Sequence, residues 1–320
     1  MTDDTSLVLT VLNESKTITS WLDSLECSSV LPSEIVICDG GSTDGTTEII
    51  ASWATRSQVP VQVVQSPGSN ISEGRNIAIS HARGPWIAIT DAGTTLDRNW
   101  LEELTAARAD ASVVSGFFRP TGGTGFEKIL ATAITPRLDE INPENFLPSS
   151  RSLLILKSAW ETVSGYPEWL DYCEDLVFDL ELKGAGFTFS FAPRAIVSWS
   201  ARSTVRAFAK QYYRYARGDG KANLWTKRHA LRYAVYLSGV LLLVTAVTGH
   251  AWVFIPLLAG MLGYNFRYFR RVASSQSLSA KEKLAGLAMV LVIGTVGDVA
   301  KMAGYPAGLF WRTSWRRNFG

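Results

Sequence analysis

Four short clusters carry residue types that suit a single chemistry: Asn13-Glu14, the run Asp39-Gly40-Gly41-Ser42-Thr43-Asp44-Gly45-Thr46, the tetrad Glu73-Gly74-Arg75-Asn76, and Asp91-Ala92-Gly93. Carboxylates and amides can meet a base and a ribose, a guanidinium can meet a diphosphate, and a Gly-rich turn lets backbone approach closely. Together they suit a nucleotide. Asp, Asn and Gly also make ordinary turns and helix N-caps, so each cluster alone is ambiguous. Four on one rim weigh considerably against that plainer reading without removing it.

A common rim requires elements that deliver these clusters to the same edge. Leu7–Leu12, Glu34–Asp39, Val61–Gln65, Trp86–Asp91 and Val113–Phe118 are short, β-branched and almost continuously apolar, which predicts strands buried on both faces. Between them Ile18, Leu22 and Leu25 share a helical face, as do Ile49, Ile50 and Trp53, and then Leu101 and Leu104. Strand and helix in alternation predict a parallel sheet covered by helices. Open sheets of this kind bind ligands beyond the carboxyl ends of their strands, where all four clusters fall. Residues 119–210 are mixed and less regular, with Pro148-Ser149-Ser150-Arg151-Ser152 and Tyr172-Cys173-Glu174-Asp175 among them.

The chain has 320 residues, 47% of them hydrophobic and 19% charged, which excludes a disordered or collagen-like protein. Mean hydropathy is slightly positive, +0.09, and eleven tryptophans are present, so part of the chain is expected to face something other than water. Charge is divided by position: residues 1–110 carry a net −9, residues 111–205 a net −3 and residues 206–320 a net +14. Leu231–Phe266 is almost uncharged apart from Arg232, and it is long enough for two short crossings turning at Thr248-Gly249-His250. Lys227, Arg228 and Arg232 precede this block, and Arg267, Arg270 and Arg271 follow it. Such flanks read as cytoplasmic ends of a membrane hairpin rather than as a nucleic-acid surface. A second apolar block, Leu284–Trp311, contains Asp298 and Lys301 on one helical face and is followed by Arg312, Arg316 and Arg317. It reads as either a hairpin with short arms or an in-plane segment. The polar, acidic start does not read as a signal peptide. The three cysteines, Cys27, Cys38 and Cys173, lack the spacing of a zinc site or a disulfide framework and fit a reducing compartment.

The chain resembles the membrane-anchored, inverting glycosyltransferases of family 2, with the GT-A fold, over roughly residues 6–220. Four places carry the likeness: Asn13-Glu14, the Asp39–Thr46 run, Glu174-Asp175, and Gln211-Tyr212-Tyr213-Arg214-Tyr215. The resemblance implies an α/β GT-A domain over residues 1–225, with a nucleotide half to about 118, an acceptor half after it, and membrane-anchoring helices over 226–320. It implies that Asp39 contacts the base of a nucleoside-diphosphate sugar, with Asn13 and Glu14 beside the nucleotide. Arg75-Asn76 would then lie near ribose and diphosphate, and Asp91 would be the first acid of an Asp-x-Asp motif. Asp175 would be the base that deprotonates the acceptor, with Glu174 next to it. Gln211 and Arg214, together with Arg151, would line the acceptor and diphosphate region. The alternative for Gln211–Tyr215 is an interfacial aromatic and basic belt.

Two positions depart from the family pattern. Gly93 replaces the second acid of Asp-x-Asp, and Ser198 stands where many relatives place a metal-binding His. A divalent cation, Mg²⁺ or Mn²⁺, would be left with Asp91 as its one obvious ligand and Asp97 as a poor substitute. Either the ion is held mostly by the diphosphate and water, or Arg75, Arg202 and Arg214 take over part of the charge. Direct displacement at an anomeric carbon needs a base toward the acceptor and positive charge at the leaving diphosphate, and no covalent intermediate. His81, expected on a helix surface, and His229 and His250, in or beside the apolar block, are poor candidates for the base. The expected partners are a nucleoside-diphosphate sugar, a lipid-linked or cell-envelope glycan acceptor and membrane lipid, with the catalytic domain cytosolic at the plasma membrane. Competing readings are a nucleotidyltransferase, which would need a phosphate-binding Gly-rich loop near the first strand that Thr10–Glu14 does not offer, and a non-catalytic binding or scaffold module.

Overall fold

The computed structural model describes the backbone of residues 4–121, 123 and 125–319, with side chains to Ser314; the expected basic flank at Arg316 and Arg317 lies outside the described side chains. The chain divides into two compact units, Met1–Thr121 with Pro136–Ser200, and Gly122–Thr135 with Ala201–Gly320. The division therefore falls near residue 200 rather than at the 225 expected from sequence.

The first unit is built on strands β1 (Thr5–Val11), β2 (Glu34–Asp39), β3 (Val61–Gln65), β4 (Trp86–Asp91), β5 (Thr94–Leu96), β6 (Val113–Pro120), β7 (Leu153–Leu156) and β8 (Phe189–Trp199). Its helices are α1 (Ile18–Glu26), α2 (Thr46–Ala54), α3 (Ile71–His81), α4 (Trp100–Ala106), α6 (Lys157–Thr162) and α7 (Glu174–Gly184); α5 (Phe126–Ile134) belongs to the second unit. The strands form one sheet in the order β3-β2-β1-β4-β7-β6-β8-β5. Its first half is parallel as expected. Beyond β4 the sheet is mixed, because β7 pairs antiparallel with both β4 and β6, and β5 pairs antiparallel with β8. Alternate residues of β1 face opposite sides of the sheet, as a strand requires. Leu7, Leu9 and Val11 pack with Trp21, Leu22 and Trp100, whereas Val8 packs with Ile79, Tyr166 and Phe178 on the other face.

The second unit is helical: α5, then α8 (Val205–Ala222), α9 (Thr226–Val247), α10 (Phe254–Tyr264), α11 (Phe266–Ser274) and α12 (Ala280–Phe319). The turn of the expected hairpin falls at Thr248–His250, as the sequence indicates. The block from Leu284 is not a hairpin: it lies within one continuous helix. Pro306 stands inside α12 and cannot donate to the carbonyl of Met302 four residues back. The Tyr233 hydroxyl of α9 donates to that carbonyl instead, at 2.5 Å. Asp298 of α12 accepts from Arg232 Nε at 2.7 Å and from the Tyr264 hydroxyl at 2.8 Å. Arg232, expected as a basic flank, is thus a buried partner of Asp298.

Along α12, Gly304 and Gly308 lie against the backbone of α8. A Cβ at Gly304 would stand 2.2 Å from the Tyr213 carbonyl oxygen, and one at Gly308 would stand 2.1 Å from that of Arg217. Only a residue without a side chain fits there.

Candidate active site

Register brings three loops to one edge. Val11 pairs with Asp39 and Thr10 with Asp91, so β1, β2 and β4 end at the same level. The chain leaves β1 toward β2 and β3 on one side and reaches β4 on the other, which makes the crevice beyond β1 and β4 the topological switch point of the sheet.

The β1 and β2 loops are knitted together by their own polar groups. Asn13 has φ of 57°, a left-handed conformation that Asn tolerates well. Its Oδ1 accepts from the Thr43 backbone N–H at 2.9 Å, and its own N–H donates to Ser42 Oγ at 2.9 Å. The Glu14 N–H donates to Thr46 Oγ1 at 2.8 Å, and the Ser15 N–H donates to Asp44 Oδ2 at 3.1 Å. Asp44 also accepts from Thr46 Oγ1 at 2.5 Å, and these bonds, led by Thr46 and Ser15, hold its carboxyl well below the usual range. Asp39 is fully buried, and its Oδ1 accepts from the N–H groups of Gly41 and Ser42 at 3.0 and 2.8 Å. Its Oδ2 accepts from the Thr47 hydroxyl. Burial opposes ionisation of Asp39, but these donors outweigh it and keep the carboxyl below its ordinary value. Asp39 thus reaches the expected rim while holding the turn in shape with both of its oxygens.

The Arg-Asn pair works inward as well. Asn76, expected near the ribose, pins the loop before α7. Its Nδ2 donates to the Tyr166 carbonyl and to Glu168 Oε1, both at 2.9 Å, while its Oδ1 accepts from the Tyr166 N–H at 2.8 Å and from Trp160 Nε1 at 3.0 Å. Gly165, with φ of 76°, leaves room for that amide: a Cβ there would lie 2.5 Å from Asn76 Oδ1. Arg75 is 3% exposed and spans two acids, donating from Nη1 to Glu174 Oε1 and from Nη2 to Asp91 Oδ1, each at 2.8 Å. Its guanidinium also lies 5.2 Å from the centre of the Tyr166 ring, which in turn stacks on Phe178. Burial disfavours the Arg75 charge, but Asp91 and Glu174 more than restore it. Glu174 is driven the other way. Burial and neighbouring Asp175 push its carboxyl up against the pull of Arg75.

Glu174 and Asp175 open α7, where the positive helix end favours acids, and Cys173 before them has a left-handed φ of 66°. Asp175 is half-buried, and its Oδ1 accepts from the Leu176 N–H at 2.9 Å. One turn along, Asp179 is buried, and its Oδ2 has no hydrogen-bond partner among the described residues; burial raises its carboxyl well above the usual range. Arg151 Nε stands 3.7 Å from Asp91 Oδ2, with its guanidinium 5.4 Å from the centre of the Trp199 ring.

The first unit therefore brings Asn13, Glu14, Asp39, Asp91, Arg75, Arg151, Glu174 and Asp175 to one edge of the sheet, with Asn76 beneath. Gln211 and Arg214 lie on α8 of the second unit, where Gln211 Nε2 donates to the Tyr215 hydroxyl at 2.7 Å. Tyr166 and Asp179 were not identified from sequence. No local pattern marks Tyr166 as buried beneath a guanidinium. His81 lies exposed near the end of α3, as expected.

The donor set does not fit a tightly held divalent cation. Asp91 Oδ1 is bonded to Arg75 and its Oδ2 faces Arg151. Asp97, the other acid considered, is held by Arg119 Nη2 at 2.9 and 3.0 Å. Among the described residues no group of three or more His, Cys, Asp or Glu side chains could hold an ion.

Comparison with known proteins agrees with this architecture. The family described as Glycosyl transferase family 2 matches residues 6–161, from β1 into α6. The succinoglycan biosynthesis protein ExoA of Rhizobium meliloti is 28% identical over 229 residues, covering 67% of this chain and 68% of its own. The glycosyltransferase AglE of Haloferax volcanii is 24% identical over 227 residues, covering 69% and 73% respectively. Among solved structures, the mannosyltransferase PcManGT of Pyrobaculum calidifontis, in complex with GDP-Man and Mn²⁺, superposes with a TM-score of 0.57 at 16% identity, covering 99% of this chain and 90% of that one. S. aureus TarS in complex with UDP-GlcNAc gives 0.51 at 15% identity, covering 98% and 92%. The family match lies across the edge beyond β1, β2 and β4, and residues 6–161 of this chain form a glycosyltransferase family 2 domain, of the family of enzymes that transfer a sugar from a nucleotide sugar.

Proposed function

We propose that the chain is an inverting hexosyltransferase in which Asp175 deprotonates the acceptor hydroxyl. The arrangement of the two acids at the start of α7 carries this reading. Glu174 is buried and bonded to Arg75, while Asp175 beside it is half-buried with no ion pair among the described residues. One acid is held as structure and the other is left able to take a proton. The donor occupies the edge beyond β1, β2 and β4, with Asn13, Glu14 and Asp39 shaping the nucleotide loop, Asn76 holding the loop before α7, and Asp91 and Arg151 toward the diphosphate. Gln211 and Arg214 serve the acceptor and diphosphate side.

The acceptor is a lipid-linked or cell-envelope glycan, and the second unit anchors the enzyme in the plasma membrane with the catalytic unit cytosolic. The succinoglycan biosynthesis protein among the relatives supports the glycan class. The anchor is supported by α9, which exposes Leu231, Leu237, Val240 and Leu241, and by α10, which exposes Ile255 and Leu258. Helices Thr226–Val247 and Ala280–Ser314 are long and apolar enough to cross a bilayer, while Ala251–Tyr264 is a shorter apolar arm. At 1.5 Å per residue α9 measures about 33 Å, close to the ~30 Å hydrocarbon thickness. Incubation of the full chain in detergent with a panel of sugar nucleotides tests the activity. Release of a nucleoside diphosphate that depends on an added glycan acceptor is expected, and release of pyrophosphate, or no turnover with any donor, would refute it.

A further inference from the structure

We propose that this site holds the donor diphosphate with guanidinium charge from Arg151 and transfers the sugar without a divalent cation. The inference rests on the reading of the β1–β4 edge as the donor site. Arg75 and Arg151 stand against Asp91 from two sides, at 2.8 and 3.7 Å. Both carboxylate oxygens of Asp91 are thus already faced by guanidinium charge. A cation taking Asp91 as ligand would have to displace Arg151 from Oδ2 or Arg75 from Oδ1, and Arg75, 3% exposed, would then be left as a buried charge with one partner fewer. The second acid that could repay that loss is absent at Gly93. Mg²⁺ and Mn²⁺ favour carboxylate oxygens together with phosphate, and a guanidinium-saturated Asp91 offers a poor one.

The two arginines differ in what they can do. Arg75 is buried and bonded to both acids. Arg151 has a side chain 28% exposed, and its 3.7 Å approach to Asp91 is an ion pair longer than a hydrogen bond. A diphosphate arriving at the edge can draw Arg151 from Asp91 into a bidentate guanidinium–phosphate contact, while Arg75 continues to neutralise Asp91. In the transfer, the acceptor O–H proton passes to Asp175 and the acceptor oxygen bonds to the anomeric carbon. The bond from that carbon to the β-phosphate oxygen breaks with its electron pair, and the charge gathering on the departing diphosphate falls beside Arg151. Arginine stays protonated throughout.

The test uses the full chain in detergent, stripped with EDTA, and titrates UDP and GDP calorimetrically in EDTA and in Mn²⁺. The preferred nucleotide is expected to bind with Kd values within about threefold in the two buffers, and turnover with the matching sugar nucleotide is expected to persist in EDTA. Arg151→Gln should weaken binding in EDTA by about tenfold or more, the scale of a lost charge-assisted contact, with Arg151→Lys between. Gly93→Asp should introduce a Mn²⁺-dependent gain in nucleotide affinity, since no atom lies within 4 Å of a Cβ built there. Binding by the wild-type chain that requires Mn²⁺, or Arg151→Gln binding normally in EDTA, would overturn the inference while leaving the donor site in place. Failure of both nucleotides in both buffers would overturn the donor-site reading and this inference with it.

Discussion

Removal of the Arg75 guanidinium should destabilise the first unit and disable the site together. The group is 3% exposed and bonded at 2.8 Å to each of two acids from elements far apart in sequence, β4 and α7. Losing one member of a buried ion pair costs about 3–5 kcal/mol. Asp91 is 27% exposed and can recover hydration, whereas Glu174 is 10% exposed and cannot, so Arg75→Met should lie near the lower end, about 3 kcal/mol. Arg75→Lys keeps the charge, but an ammonium lacks the fork that spans both acids, so it should lose one charge-assisted bond, about 1.5–3 kcal/mol. Glu174 sets the pH dependence. Its carboxyl is already pushed up by burial and by Asp175, and without Arg75 it rises further. An acid raised in the folded state is stabilising while protonated, and that contribution is lost as pH rises through its folded value. The deficit of Arg75→Met should therefore shrink on acidification, and adding Glu174→Gln should recover part of it at neutral pH. Urea unfolding of the full chain, followed by tryptophan fluorescence from pH 5 to pH 8, measures both effects. An Arg75→Met variant within about 0.5 kcal/mol of wild type, the scatter of an ordinary surface change, would refute the bridge as a structural element.

Asp175→Asn should lower kcat by about 10²–10⁴ with donor binding nearly unchanged, because the amide fills the same space and cannot take a proton; near-normal turnover would remove Asp175 from the role. Asp39→Ala should raise the donor KM more than it lowers kcat, since the Asp39–Thr47 turn shapes a ground-state binding loop; an unchanged KM with a collapsed kcat would contradict this. The Asp39 carboxyl is held below its ordinary value, so its stabilisation is complete above about pH 4 and disappears as pH falls through the lowered value. The stability difference between wild type and Asp39→Asn should vanish along that path in thermal melts, and a difference that persists in strong acid would argue against the assignment. Cysteine labelling at Ser275 in intact cells should be blocked to a membrane-impermeant reagent added from outside, as expected if residues 267–283 face the cytosol.

The nucleotide half of the fold was legible because each β1–β4 strand is a short apolar run ending in a polar cluster, and β2, β3 and β4 begin and end where those runs do. The second half of the sheet was not. β7 is only four residues long, and β8 carries Pro193 and exposed Arg194 in its middle, with a register shift against β6 between Ser115 and Phe117. Such strands are too short or too interrupted to stand out from their surroundings as a β-branched apolar run. At the site, residue types were legible but partnerships were not. Arg75 meets Glu174 across 99 residues of chain, a pairing set by the packing of α3 and α7 on one face of the sheet. The signal that Arg75 faces inward was local: Ser72, Ala78 and Ile79 share the buried side of α3 with it. In α12 the helix continues through Pro306, and the Met302 carbonyl that loses its helical donor there accepts from the Tyr233 hydroxyl, a pairing across 69 residues that no local pattern marks.

The contact of α8 with α12 works as a mechanical splice. Because Gly304 and Gly308 bring backbone against backbone, the two helices can neither slide nor roll past one another without steric collision, and Gln211 and Arg214 ride on the spliced pair. Whatever fixes the azimuth of α12 also fixes the direction in which those two side chains point. A bilayer gripping the exposed apolar residues of α12, among them Leu284, Val292 and Val299, would aim Gln211 and Arg214 at a set angle to the membrane plane. A bulky residue at Gly304 would change that aim without touching either side chain.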